Sequence, residues 1–356
     1  MAIRKIRSIV KDQLLVSRLV RGRSFLRCSP QLSLSDACNY RCAMCWIHSD
    51  LAERSTNPER TLFLQSKPQI LKYDDFVRIV DGLHRANVKQ VDLCGKGEPC
   101  LNPHFIEMCQ YLDYRDIPFR LTTNGSLLGP EMSSSLIKRH VFSISISLNA
   151  ADERTFVLIN KPKDATSLNR VVKNISHLRE IRNQLGSNTK IQVRFVISKM
   201  NIDTICEMIR LGLLLGDNVV FMNAAIYDQI DQIALDMKDY DNMVKIFDEF
   251  RNQDRLIGVK HFLRKVRQSA VDHRYFLTEL FETQPCRIPF GFAVIHADGR
   301  VTPCCPSYYI CGNAIETGFE RLWNSKEFRQ FRMEALALPE KREEASKSYC
   351  YCCDHY

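Results

Sequence analysis

The sequence predicts an α/β protein: a partial (β/α)6 barrel followed by a small α+β module rich in cysteine. Three observations lead there. Between residues 31 and 225, apolar runs of strand length alternate with segments of helical periodicity. Distinctive polar or glycine-bearing motifs follow one strand after another. Seven of the fifteen cysteines crowd the last 71 residues.

Taken in order, Leu32 and Leu34 belong to a short first strand that runs into a cysteine loop. Residues 46–72 are polar and irregular. Phe76, Ile79, Val80 and Leu83 then recur at helical spacing within Tyr73–Arg85. The pattern next predicts a strand over 89–94, a helix over 103–114, a strand over 118–123, a helix over 130–139 and a strand over 142–148. A helix over 167–185, an Ile- and Val-rich strand over 190–198, a helix over 203–215 and a sixth strand over 218–223 complete the series. Repeated strand–helix units imply a parallel sheet covered by helices. Six units fall short of an eightfold barrel, and no fixed-period repeat points to a solenoid. Residues 228–284 read as a helical bridge. Beyond it, 292–295 and 300–302 flank Asp298-Gly299, a strong hairpin signal. The chain thus divides into a basic N-terminal helix (1–30), a core (31–227), the bridge (228–284) and a C-terminal module (285–356).

At 356 residues and 45% hydrophobic composition, the chain can bury a large core. No apolar run approaches the about 18 residues of a membrane span, and no uninterrupted apolar core marks a signal peptide. Cytoplasmic residence is the expectation, and clustered cysteines in such a chain point to metal rather than disulfides. Of the formal charge of +9, residues 1–30 hold +7, from eight Lys and Arg against Asp12. The remainder is too weakly basic for a broad nucleic-acid surface. Ile3, Ile6, Val10 and Leu14 recur at helical spacing among those basic residues. The segment reads as an amphipathic helix that either plugs the fold or lies on the anionic inner face of a membrane. A transit peptide is a third reading.

Cys38, Cys42 and Cys45 lie within eight residues. A Cys-x3-Cys-x2-Cys loop can turn three thiolates toward one centre, as iron–sulfur clusters and zinc both require. Structural zinc wants a fourth protein ligand, for which His48 is the nearby candidate; a four-iron cluster on three cysteines keeps one iron open. The later strands end in Gly95-Lys96-Gly97-Glu98-Pro99, Thr123-Asn124-Gly125 and Ser147-Leu148-Asn149-Ala150. In parallel barrels such ends converge on one mouth. Gly97 lets the backbone approach a ligand closely, and Glu98 offers an acceptor to an ammonium group.

In this order, over residues 31–225, the motifs resemble the radical S-adenosylmethionine (SAM) superfamily. The resemblance implies a partial barrel of the radical SAM type, with a SAM-binding [4Fe–4S] cluster on Cys38, Cys42 and Cys45. It places Gly97, Glu98 and Pro99 at the methionyl amino group, and Ser147 and Asn149 at the ribose or carboxylate, with Thr123 and Asn124 nearby. Met44 stands where family members often carry an aromatic residue; its thioether can adapt to a ring edge. Cys28, Cys94, Cys100, Cys109 and Cys206 read as small buried hydrophobes.

Cys286, Cys304, Cys350 and Cys353, with Asp298-Gly299 and Leu322-Trp323-Asn324-Ser325, resemble the twitch domain, a shortened relative of the SPASM domain. One auxiliary [4Fe–4S] cluster is expected, since the chain ends at Tyr356. Cys305, Cys311 and Cys352 remain as replacement ligands or as part of a second cluster, and zinc is the alternative. The resemblance implies reductive cleavage of SAM to a 5′-deoxyadenosyl radical that abstracts hydrogen from an organic substrate, in a net oxidation with the auxiliary cluster accepting an electron. The expected substrate is a small molecule such as an aminocyclitol, a peptide or a lipid-linked compound. Flavodoxin or ferredoxin is the expected electron donor. The competing classes are an RNA-modifying radical SAM protein and a non-catalytic, membrane-docked metal module.

Overall fold

Strict alternation of buried and half-buried residues in Phe119–Thr123 and Lys190–Ile197 marks strands with one face on a core and one on an open space. In the computed structural model, which describes residues 28–53, 67–224, 230–272, 285–305, 307 and 309–337, these strands belong to a ten-stranded sheet. The strands are β1 (Gln31–Leu32), β2 (Val91–Leu93), β3 (Phe119–Thr123), β4 (Val141–Ser147), β5 (Lys190–Ile197), β6 (Asn218–Asn223), β7 (Leu256–Ile257), β8 (Val294–Ile295), β9 (Arg300–Thr302) and β10 (Gly312–Asn313). Their spatial order is β10-β9-β8-β1-β2-β3-β4-β5-β6-β7, and every pairing from β8 to β7 is parallel.

The helices that return the chain between strands are α1 (Tyr73–Arg85), α2 (Phe105–Tyr114), α3 (Pro130–Ile137), α4 (Glu153–Asn160), α5 (Leu168–Gln184) and α6 (Ile205–Leu215). Their apolar stripes meet the core face of the sheet, where Leu32, Leu93, Leu121, Ile144, Ile146, Val193 and Phe195 are fully buried. Each such side chain contributes about 1.5–3 kcal/mol. Local signals start the helices: Asp152 accepts from the Thr155 amide at 2.8 Å, and Ser167 accepts from Arg170 at 3.2 Å.

Several elements depart from the sequence reading, among them a four-residue helix, Asp50–Glu53, in the stretch read as irregular. Helix α4 was not anticipated; it has only two turns, and its apolar residues Phe156 and Ile159 sit too close together for a long periodic signal. The helical bridge holds α7 (Met237–Glu249) and α8 (Val259–Asp272), but also β7, which extends the sheet beside β6. Two residues cannot announce a strand by alternation, so the pairing partner defines it.

The C-terminal hairpin continues the same sheet. Gln31 and Leu32 pair with Val294 and Ile295, and β9 returns antiparallel through Gly299, whose φ of 82° suits glycine. Three helices follow: α9 (Ala314–Thr317), α10 (Phe319–Trp323) and α11 (Lys326–Ala337). Arg332 on α11 is fully buried and donates to the carbonyls of Pro289 at 2.9 Å and Trp323 at 2.7 Å. Its guanidinium lies 4.2 Å from the Trp323 ring centroid and 4.8 Å from that of Phe328. No helix among the described residues is long and apolar enough to cross a membrane. The basic segment over residues 1–27, most of the polar loop, and Cys350, Cys352 and Cys353 lie outside the described residues.

Candidate functional site

The cysteine loop leaves β1 and is fastened along its length. The Arg41 amide donates to the Asn160 carbonyl at 3.2 Å, and that of Ala43 to the Ile159 carbonyl at 2.7 Å, so the end of α4 forms its backing. Within the loop, Cys45 donates to the Cys42 carbonyl at 2.9 Å. The Tyr40 amide lies 3.4 Å from Cys38 Sγ, and the His48 amide 3.3 Å from Cys45 Sγ. The Cys42 thiol lies 3.6 Å from Asn160 Oδ1. Burial pushes the Cys38 thiol up to about 11, so loading a metal there must displace a proton.

The second loop docks directly on the first. Gly97 donates to the Ser35 carbonyl at 3.1 Å, and Glu98 to the Ala37 carbonyl at 2.8 Å. A Cβ on Gly97 would stand 2.6 Å from the Asp36 carbonyl carbon and 2.7 Å from that of Ala37. The close approach that this glycine permits is to the cysteine loop itself. Gly95 does the same against Ser33, whose Cβ would lie 2.6 Å from an added methyl group.

Glu98 is 2% exposed. Its Oε1 accepts from Thr123 Oγ1 at 2.7 Å and from the Cys100 amide at 3.2 Å; its Oε2 accepts from the Asn124 amide at 2.7 Å. Burial raises its pKa, opposed by these hydrogen bonds. The carboxylate therefore braces the end of β3, a use that the motif alone does not reveal. Asn124 Nδ2 in turn donates to Asn39 Oδ1 at 2.8 Å, and Asn39 Nδ2 to Ser126 Oγ at 2.9 Å, which returns the chain of bonds to the cysteine loop. Thr123 and Asn124 thus belong to one network with Glu98 and Asn39.

At the end of β4, Ser147 is partly exposed and Asn149 is buried with φ of 61°. Asn149 accepts from the Val196 amide at 2.9 Å and donates to Asn160 Oδ1 at 3.1 Å. Its side chain joins β5 to α4. Met44 packs in a small apolar cluster with Ile159, Ala224 and Ile233.

The Asn39, Asn102 and Asn160 side chains were missed in the sequence. Asn102 is buried and donates to the carbonyls of Leu34 at 2.8 Å and Leu71 at 2.9 Å. Lone asparagines carry no spacing signal; Asn39, between two of the clustered cysteines, was the one with a hint.

The geometry bears on the metal. His48 Nε2 lies 2.9 Å from the Lys96 carbonyl oxygen, which ties the imidazole ring to the loop after β2. Among the described residues, no three Cys, His, Asp or Glu groups are gathered as tightly as a single ion requires. A four-iron cluster spaces its thiolates around a cube rather than around one atom.

Residues 32–212 match the family model of the radical SAM superfamily. The chain belongs to the radical SAM superfamily. Residues 286–354 match the SPASM iron–sulfur cluster-binding domain, so this radical SAM enzyme carries an auxiliary-cluster domain at its C-terminus. Membership brings a SAM-binding [4Fe–4S] cluster, SAM and auxiliary iron–sulfur chemistry; the three-thiol loop fits the first of these. Cys286, Cys304 and Cys311 are buried, and the Cys305 thiol lies 3.4 Å from Gln31 Oε1. Burial pushes Cys286 up to about 11 and Cys311 up to about 12.

The AdoMet-dependent heme synthase of Methanosarcina barkeri is 26% identical over 258 residues, 68% of this chain and 71% of that protein. The tungsten-containing aldehyde ferredoxin oxidoreductase cofactor-modifying protein of Pyrococcus furiosus is 24% identical over 327 residues, 85% of this chain and 82% of its own. Streptococcus suis SuiB bound to its precursor peptide SuiA superposes with a TM-score of 0.61 at 15% identity, covering 96% of this chain and 73% of SuiB. That likeness shows the fold.

Proposed function

We propose that this radical SAM enzyme abstracts hydrogen from an organic substrate in a net oxidation. Cys38, Cys42 and Cys45 hold the SAM-binding cluster, and Cys286, Cys304, Cys350 and Cys353 hold one auxiliary [4Fe–4S] cluster. The observation that carries the reading is the docking of the Gly95–Pro99 loop on the cysteine loop through Gly97 and Glu98. It fastens the cysteine loop to the proposed SAM cradle.

When bound, cluster and SAM supply a 5′-deoxyadenosyl radical able to take hydrogen from an unactivated carbon. The chain's residues position the parts. The backbone of Gly97 and Pro99 would receive the methionyl ammonium, and buried Glu98 holds Thr123 and Asn124 in register beside it. Ser147 and the turn at Asn149 would hold the ribose or carboxylate. Four cysteines close the auxiliary cluster, which favours electron transfer over direct substrate binding. Flavodoxin or ferredoxin fits as the donor of the first electron. SuiB is seen with a precursor peptide, which keeps a peptide among the substrate classes beside small and lipid-linked molecules.

Anaerobic reconstitution tests the reading. About eight iron atoms per chain are expected, and about four after Cys38, Cys42 and Cys45 are all changed to serine. With reductant and SAM, the enzyme should form 5′-deoxyadenosine and, from a cell extract, a product two hydrogens lighter than its substrate. About four irons in the unaltered protein removes the auxiliary cluster; a mass-neutral product overturns the oxidation.

A further inference from the structure

The strand residues that do not face the helices line the concave face of the sheet, and several are charged. Asp92 on β2, Arg120 on β3 and Arg194 on β5 all occupy that alternation phase. Register sets Gln31, Asp92 and Arg120 in one row and Ser147 beside Arg194 in another. Asp92 Oδ1 lies 3.0 Å from Arg120 Nε, so these two charges answer each other. Arg194 is left as the second cation, and its surroundings hold it ready. Gln192 Oε1 accepts from Arg194 Nε at 2.8 Å and from Ser145 Oγ at 3.1 Å, which fixes the guanidinium plane. The two terminal nitrogens have no protein acceptor among the described residues. Burial lowers the pKa of this group, Cys94 and Asp92 oppose that shift, and Arg120 adds to it. A half-buried guanidinium with an unused fork is free to take an oxyanion, and the fork matches carboxylate and phosphate oxygens in pairs.

We propose that Arg194, steadied by Gln192, binds an oxyanion of the substrate, a carboxylate or a phosphate, on the concave face of the sheet. The inference rests on a substrate occupying the concave face in the function proposed above. SAM carries a carboxylate of its own, and Ser147 stands beside Arg194 in register; the experiment must therefore separate the two oxyanions.

Holoenzyme reconstituted anaerobically and saturated with SAM is titrated calorimetrically with inorganic phosphate and, separately, with acetate. Saturable binding of phosphate identifies a phosphoryl substrate, and saturable binding of acetate a carboxylate one. Arg194→Gln is expected to weaken the anion about ten- to a hundredfold, and Asp92→Asn to tighten it about threefold. Arg194→Lys, which keeps the charge and loses the fork, is expected to fall between and serves if the glutamine variant does not fold. An isotherm unchanged in Arg194→Gln or Arg194→Lys, or no saturable binding of either anion by the unaltered enzyme, overturns the proposal. So does loss of SAM affinity in Arg194→Gln, which assigns the guanidinium to the SAM carboxylate. If the unaltered enzyme makes no 5′-deoxyadenosine, the proposed function fails while the anion isotherm stands.

Discussion

Replacing Gly97 by alanine drives a methyl group into the backbone of the cysteine loop, 2.6 Å from the Asp36 carbonyl carbon and 2.7 Å from that of Ala37, with the Ala37 oxygen closer still. These are backbone atoms of a segment held by β1 on one side and by α4 on the other, so they cannot swing aside as a flexible side chain would. Relief requires the Gly95–Pro99 loop to lift, which breaks the bonds from Gly97 to Ser35 and from Glu98 to Ala37. Overpacking costs about 1–3 kcal/mol, and two lost hydrogen bonds add about 1 kcal/mol each. The expected loss is therefore about 3–5 kcal/mol of unfolding free energy, read from urea denaturation under argon. The variant should also lose its share of reconstituted iron at the N-terminal site, because Asp36 and Ala37 lead directly into Cys38. Gly129→Ala is the control: nothing lies within 4 Å of its added Cβ, and its φ of −64° is open to any residue. A Gly97→Ala protein with the stability and iron content of the Gly129→Ala control refutes the docking argument.

Asn102→Ala removes both donors that satisfy the Leu34 and Leu71 carbonyls, and should cost about 2–4 kcal/mol by the same denaturation assay. Arg332→Ala, which leaves two carbonyls and the Trp323 and Phe328 rings without their partner, should lower stability by about 3–5 kcal/mol, whereas Arg332→Met, which refills the apolar volume, should recover part of the loss. His296 predicts an acid response. Burial holds its pKa down to about 3, against an ordinary value of 6.5, so below pH 6.5 the unfolded chain binds a proton that the folded chain refuses. Stability should fall by about 1.4 kcal/mol for each pH unit between 6.5 and 3. His296→Gln should flatten that slope when thermal midpoints are compared across the range; an unchanged slope refutes the assignment.

Much of the fold was legible because the barrel's strands and helices carry strong, separate periodicities. Tyr73–Arg85 and Asn218–Asn223 have the predicted bounds, since an apolar stripe and turn residues agree there. The two-turn helix at Glu153–Asn160 and the two-residue strand at Leu256–Ile257 were hidden, because neither is long enough to establish a period. The site divides similarly. The three-cysteine loop announces itself by spacing, and the polar strand ends announce a mouth by their order. What Glu98 touches could not be read, because its partners Thr123 and Asn124 lie 25 and 26 residues away and reach it only through parallel pairing of β2 with β3.

The sequence by itself determined the ligand chemistry and the succession of strands and helices, because thiol spacing and hydrophobic period are local properties of the chain. Only the tertiary structure decided that Gly97 yields to the cysteine loop, that Glu98 is a buried brace, that Asn149 and Asn160 tie β5 and the loop to α4, and that Arg194 stands on the concave face with an open fork. Those outcomes depend on how strands align across a sheet. A register is chosen by the packing of every element at once, and no single stretch of sequence records it.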